Sequence, residues 1–148
     1  MKKLIKDLMT AEFIKVNEDE GIHEVVSKIA ATKSSLLACV VDREGKISGI
    51  ITPKEILKAV EVCGYDQVKS PMLSGREVAH IMTSRYAKDI MSDPVFVKLG
   101  DDVQQAIDIM IDRGFYEVPV VDDDSKLVGF VNYFAVISIV DWQCGAGQ

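Results

Sequence analysis

The sequence predicts a mixed α/β fold of the α+β type, built from two tandem copies of one strand, helix, strand, strand, helix unit. Three observations carry that reading. First, a hairpin pattern occurs twice: residues 37–41 (LACVV), the polar turn 42–46 (DREGK) and residues 47–51 (ISGII) are matched 80 residues later by 118–121, 122–125 and 127–131. Val41 therefore aligns with Val121, Asp42 with Asp122 and Gly49 with Gly129. Second, a short opening motif precedes each copy, IKDLM at residues 5–9 and AKDIM at 87–91. Third, each copy carries apolar residues at three-and-four spacing between motif and hairpin, the signature of a half-buried helix.

In chain order, the opening motif of the first copy leads into a predicted strand over residues 12–16. A helix follows, defined by Ile22, Val25, Val26, Ile29 and Ala30, with Glu18, Asp19 and Glu20 at its positive end. The hairpin comes next, then a helix over residues 53–60. The second copy repeats this order: a strand at 95–97, a helix with Val103, Ala106, Ile107, Met110 and Ile111 on one face, the hairpin, and a last helix near 133–140. Asp101 and Asp102 stand where Asp19 and Glu20 stood. The sequence thus divides into a first copy at 1–60, a partly helical connector at 61–86, a second copy at 87–142 and a frayed tail at 143–148. In the connector, Gly64, Ser70, Pro71, Ser74 and Gly75 act as breakers, and Val78, Ile81 and Met82 mark a short helix.

Composition narrows the function. At 148 residues and 48% hydrophobic content the chain can bury a substantial core, and a net charge of −6 argues against a nucleic-acid surface, which needs a dense basic face. Ten basic and nine acidic side chains fall in residues 1–60, against four and ten in 87–140, so an anion is better received near the first copy. Cys39, Cys63 and Cys144 form no CxxC pair, which disfavours a disulfide framework or a zinc site and fits a reducing cytoplasm. No segment reaches the roughly 18 apolar residues of a membrane span, and residues 1–9 do not read as a signal peptide. His23 and His80 lack neighbours at metal-ligand spacing and read as surface residues, and no nucleophile motif is present. Neither catalysis nor a metal is expected. Cys39 reads as a buried, inert thiol, and Trp142 as a packing residue.

The doubled order of opening motif, hairpin strand ending in VVD, glycine, two apolar residues, a hydroxyl or amide residue and a helix resembles a pair of cystathionine-β-synthase (CBS) domains, the Bateman module. The resemblance covers nearly the whole chain. It implies two copies packed sheet to sheet about a pseudo-twofold axis with two related clefts, and a tendency to form homodimers. It also implies binding of adenosine-containing ligands such as AMP, and regulation of a partner protein whose identity the sequence does not give.

In GIITPKE, residues 49–55, the resemblance assigns the Thr52 hydroxyl to phosphate and Glu55 to the ribose hydroxyls, with Glu55 in place of the family's usual Asp. A carboxylate accepts from two vicinal hydroxyls at once, and Lys54 adds positive charge at the start of the helix. The family pattern completes this cleft with Ser92, Val95, Phe115, Tyr116 and Glu117, and assigns Thr10, Ile14, Ser35, Leu36, Leu37 and Asn132 to the other. That second cleft is degraded, because Ala135 stands where the acid belongs. The family's phosphate-clamping basic residues are absent just upstream of each VVD, and Glu117 would repel a phosphate, which favours a monophosphate or an adenosyl compound of low charge.

The same residues have a purely structural explanation. Thr52, Pro53 and Glu55 form a capping-box sequence, so both polar side chains can be accounted for by helix initiation alone. Two functions remain open from the sequence: a sensor of an adenosyl ligand, and a structural pairing or docking module with no ligand. Val136, Ile137, Ile139 and Val140 leave the last helix apolar nearly all round, which predicts a homodimer interface there.

Overall fold

The computed structural model describes residues 3–64 and 73–139. Val140, Trp142, Cys144, the tail at 143–148 and connector residues 65–72 lie outside the described residues. The chain forms two three-stranded sheets. In the first, β1 (Ile14–Asn17) pairs in parallel with β2 (Ala38–Val41), and β2 pairs antiparallel with β3 (Ile47–Ile51). In the second, β4 (Val97–Lys98) is parallel to β5 (Glu117–Val121), and β5 is antiparallel to β6 (Leu127–Asn132). The sheets carry the same irregularity, a register shift at Val40/Val41 and at Val120/Val121. Both β1 and β4 begin two residues later than the alternation of apolar residues suggests.

The hairpin turns show why DREGK and DDDSK are equivalent. Asp42 Oδ1 accepts from the amides of Glu44 and Lys46 at 2.8 and 3.0 Å, and Asp122 Oδ1 accepts from Asp124 and Lys126 at 2.9 and 3.0 Å. Each turn then passes through positive φ, at Gly45 (84°) and at Ser125 (64°). Glycine takes that conformation freely, whereas serine takes it at some cost.

Helices α1 (Ile22–Ala31) and α5 (Val103–Arg113) connect the parallel strands. Asp102 caps α5 by accepting from Gln104 N at 2.8 Å, and Gly114 ends it in the left-handed region. After the hairpins come α2 (Pro53–Ala59), which runs on into a π-turn at Val60–Gly64, and α6 (Tyr133–Ser138). The connector holds α3 (Gly75–Thr83), where Ser74 and Glu77 form a capping box, and the second opening motif forms α4 (Ala87–Ile90). The Asp89 carboxylate accepts from the amides of Arg85 and Tyr86, and these bonds hold it below the usual carboxylate range.

Two compact units result, residues 13–95 and residues 1–12 with 96–148. The units cut across the sequence copies. Ile5, in the turn Ile5–Asp7, is fully buried in the core of the second sheet with Val97, Val103, Val118 and Val131. Ala87 and Ile90 of the second copy's motif are buried beside Val16, Val40 and Ile51 under the first sheet. Backbone bridges fasten both segments to the outer hairpin strands: Thr10 exchanges two hydrogen bonds with Phe130, each 2.9 Å, and Ser92 exchanges two with Ile50, 3.0 and 2.8 Å.

This exchange explains the glycine of each GII or GFV motif. A Cβ on Gly49 would lie 2.4 Å from Met91 Sδ and 2.8 Å from the Ser92 carbonyl oxygen, and one on Gly129 would lie 2.4 Å from the Thr10 carbonyl oxygen. Residues 1–60, which lack Ala87 and Ile90, are therefore expected to show no cooperative urea transition, whereas residues 13–95 are expected to show one. A sharp transition for 1–60 would count against the exchanged packing.

One expectation is corrected. Val136 is buried, 7% exposed, in the core of the second sheet, and Ile139 packs on that core, so these two residues do not form an unpartnered apolar face. The exposed apolar side chains of α6 are instead Tyr133 and Phe134; the Tyr133 ring makes edge-to-face contacts with Tyr116 and with Phe134.

Candidate functional site

Three of the site residues read from the sequence meet within the 13–95 unit. Thr52 is the N-cap of α2 and Pro53 its first residue, which places Glu55 one turn in, facing back toward the cap. Glu55 Oε2 accepts from Thr52 N at 3.0 Å and from the Thr52 hydroxyl. Its other oxygen, Oε1, accepts from the Ser92 hydroxyl at 3.0 Å. The Ser92 backbone is fixed beside it by the bridge to Ile50, so hydroxyls 37 and 3 residues away converge on one carboxylate. Lys54 is exposed and has no ion-pair or hydrogen-bond partner among the described residues; Val95 is half-buried.

Glu55 also borders a cavity of about 410 Å³ between α2, α3 and α4, a size in the range of small-molecule sites. Lys58 and Glu77 close part of its rim with a 2.8 Å ion pair, and Ile81 and Ile90 form apolar wall. The Lys58 ammonium and the Ser74 amide hold the Glu77 carboxyl below its ordinary range. His80 Nε2 lies 2.8 Å from the Asp89 carbonyl oxygen, and since a carbonyl only accepts, that nitrogen carries the proton. Lys58, Arg76 and Glu77 do not stand out in the sequence, where His80 reads only as a surface residue. The Ser-x-x-Glu spacing of Ser74 and Glu77 is a signal that could have marked where α3 starts, but nothing local marks its meeting with α2.

The remaining predicted residues are distributed as follows. Ile14 lies in β1 opposite Ala38, Ser35 is buried with its hydroxyl donating to the Leu37 carbonyl at 3.4 Å, Leu36 is exposed and Leu37 is buried. In the other unit, Glu117 is buried in β5 opposite Asn132, and Phe115 and Tyr116 precede it, half-buried and exposed respectively. Asn132 Oδ1 accepts from Ala135 N at 2.8 Å, so its side chain is engaged in capping α6. Thr10 Oγ1 accepts from Glu12 N at 3.3 Å. The described residues contain no cluster of three or more metal-ligating side chains, and no helix among them is long and apolar enough to cross a membrane.

The doubled hairpin, opening segment and glycine motif place the chain in a family. The family model described as "CBS domain" matches it twice, over residues 5–62 and 87–141. The chain belongs to the CBS domain family. Among relatives of this CBS-domain pair, protein MJ1426 of Methanocaldococcus jannaschii is 26% identical over 145 residues, covering 86% of this chain and 85% of that protein. The magnesium transporter MgtE of Thermus thermophilus is 26% identical over 138 residues, but the chain spans only 26% of its length; two other relatives, from Methanopyrus kandleri and Thermofilum pendens, are spanned to 28% and 33%.

Solved structures share the fold. CBSX2, solved in complex with AMP, superposes with a TM-score of 0.72 at 20% identity, covering 91% of this chain and 94% of that one. The CBS domain pair of MJ0100, solved with 5′-methylthioadenosine and S-adenosyl-L-methionine, gives 0.68 at 22% identity, covering 93% and 98%. The connector helix α3 falls outside both matched segments.

Proposed function

We propose that this CBS pair is a regulatory sensor that binds an adenosine-containing ligand, AMP-like in charge, and signals occupancy to a partner protein as a cytoplasmic homodimer. The observation that carries the reading is the convergence of Thr52, Ser92 and Glu55 beside a cavity of ligand size. A carboxylate flanked by hydroxyls suits a vicinal diol, and the amides at the start of α2 with Lys54, which has no partner among the described residues, suit a single phosphate. Relatives solved with AMP or with S-adenosyl-L-methionine support an adenosyl ligand. The pairing-module reading is favoured by a different observation: both oxygens of Glu55 are satisfied within the chain, and Ala135 leaves the second copy without an acid.

Titration calorimetry separates the two. AMP is expected to give saturable heat, and a ligand at about 100 times its dissociation constant to stabilise the fold by about 2.7 kcal/mol. Glu55→Ala is expected to lower affinity at least tenfold, since charge-assisted hydrogen bonds to a diol are worth about 1.5–3 kcal/mol each. Asn132→Ala is expected to keep most of the affinity. Absence of heat for AMP, ADP, ATP and S-adenosylmethionine at millimolar concentration would leave the pairing module as the function.

A further inference from the structure

We infer that Ser92 is a built-in competitor of the ligand: its hydroxyl closes Glu55 in the empty protein, and a ligand with a vicinal diol must displace it to bind. The inference rests on the ligand reading above and concerns how that site is regulated.

Glu55 has little acceptor capacity to spare. Oε2 takes the Thr52 amide and hydroxyl, which form the capping box at the start of α2 and cannot be given up without weakening that helix start. Oε1 takes only the Ser92 hydroxyl among the described residues. Ser92 is exposed, its side chain is short, and water can receive its hydroxyl when released. Displacing Ser92 is therefore the least costly way to free Glu55 for a diol.

Ser92 is not an isolated side chain. It ends the segment that carries α4, and its backbone exchanges hydrogen bonds of 3.0 and 2.8 Å with Ile50 at the edge of β3. Four residues later the chain has entered the other compact unit. Occupancy at Glu55 is thus read by the segment that joins the units. The second copy provides an internal contrast. Thr10 makes the same backbone bridge, to Phe130, but Ala135 occupies the place of Glu55, and the Thr10 oxygen accepts from Glu12 N instead. One strap is latched by a carboxylate and the other is not.

If Ser92 competes with ligand, Ser92→Ala should tighten AMP binding about three- to tenfold by calorimetry, and Ser92→Thr, which keeps the hydroxyl, should restore ordinary affinity. Hydrogen exchange supplies a second readout: saturating AMP should speed exchange of the Ser92 amide at least threefold in the unsubstituted protein, and Ser92→Ala should show the faster rate without AMP. AMP affinity that is unchanged or weaker in Ser92→Ala overturns the latch while leaving the sensor intact, as does AMP binding with no change in Ser92 exchange. If neither protein binds AMP, ATP or S-adenosylmethionine, the sensor and the latch fall together.

Discussion

Ile5→Ala is expected to destabilise the protein by about 3 kcal/mol, in the middle of the 2–5 kcal/mol range for removing a buried aliphatic side chain. A 3 kcal/mol loss corresponds to a drop in Tm of roughly 6–12 °C at this chain length. By position alone Ile5 would look dispensable, four residues from Met1 in a segment with only a single turn of 3-10 helix. Its side chain is nevertheless fully buried among Val97, Val103 and Val118. Its amide donates to the Asp101 carbonyl at 2.9 Å, and the neighbouring Lys6 amide donates to Leu99 at 3.1 Å. Truncation would leave a cavity that these backbone anchors prevent from collapsing. Ile111→Ala is the control, since Ile111 is 77% exposed and should change stability by no more than about 0.5 kcal/mol. Equal effects of the two substitutions in urea denaturation would show that the opening segment does not belong to the second core.

Gly129→Ala is expected to cost about 2–3 kcal/mol, near the upper part of the range for overpacking. The added methyl would sit 2.4 Å from a backbone oxygen, that of Thr10, and this oxygen is held by the Phe130 amide at 2.9 Å. Either β6 bends or the strap lifts and gives up both of its hydrogen bonds. Gly49→Ala should be milder, because the nearest obstacle there is the flexible Met91 thioether, although the Ser92 carbonyl at 2.8 Å still resists. Thermal melts of the two variants test the order; a Gly129→Ala protein as stable as the unsubstituted one would mean that the Thr10 strap is not seated on β6.

Much of this fold was legible in the sequence because its signals are local. The β-branched runs on either side of Asp42 and Asp122 became hairpins with identical bulges, and the three-and-four spacing at Ile22 and at Val103 became α1 and α5. What escaped was carried by contacts between residues far apart in sequence. A motif of five residues, IKDLM or AKDIM, has too little periodicity to say which sheet it covers, and the answer was the sheet of the other copy. Val136 misled for a related reason: a helix apolar on every side reads as an interface, yet a helix of six residues lying on a sheet buries one apolar side fully and a second partly.

The candidate site shows the same division. Thr52 and Glu55 are three residues apart, so their capping geometry could be anticipated. The Ser92 hydroxyl on Glu55 could be anticipated only through the family resemblance, and the cavity beside Glu55 depends on α3, for which the family offers no pattern.

The exchange of opening segments also sets an order of assembly. Residues 13–95 form one unbroken run of chain, so that unit can close once Val95 has left the ribosome. Residues 3–10 must wait for Asp101, Val103 and Phe130, more than 90 residues further on, before their hydrogen bonds can form. Closing so long a loop is slow compared with local hairpin formation, and domains assemble in the order in which the ribosome completes them. In the interval Ile5, Leu8 and Met9 are an uncovered apolar segment on a nascent chain whose other half is already folded. The strap at residues 3–10 is thus expected to dock late, and until it docks its apolar side chains are open to chaperones and to aggregation.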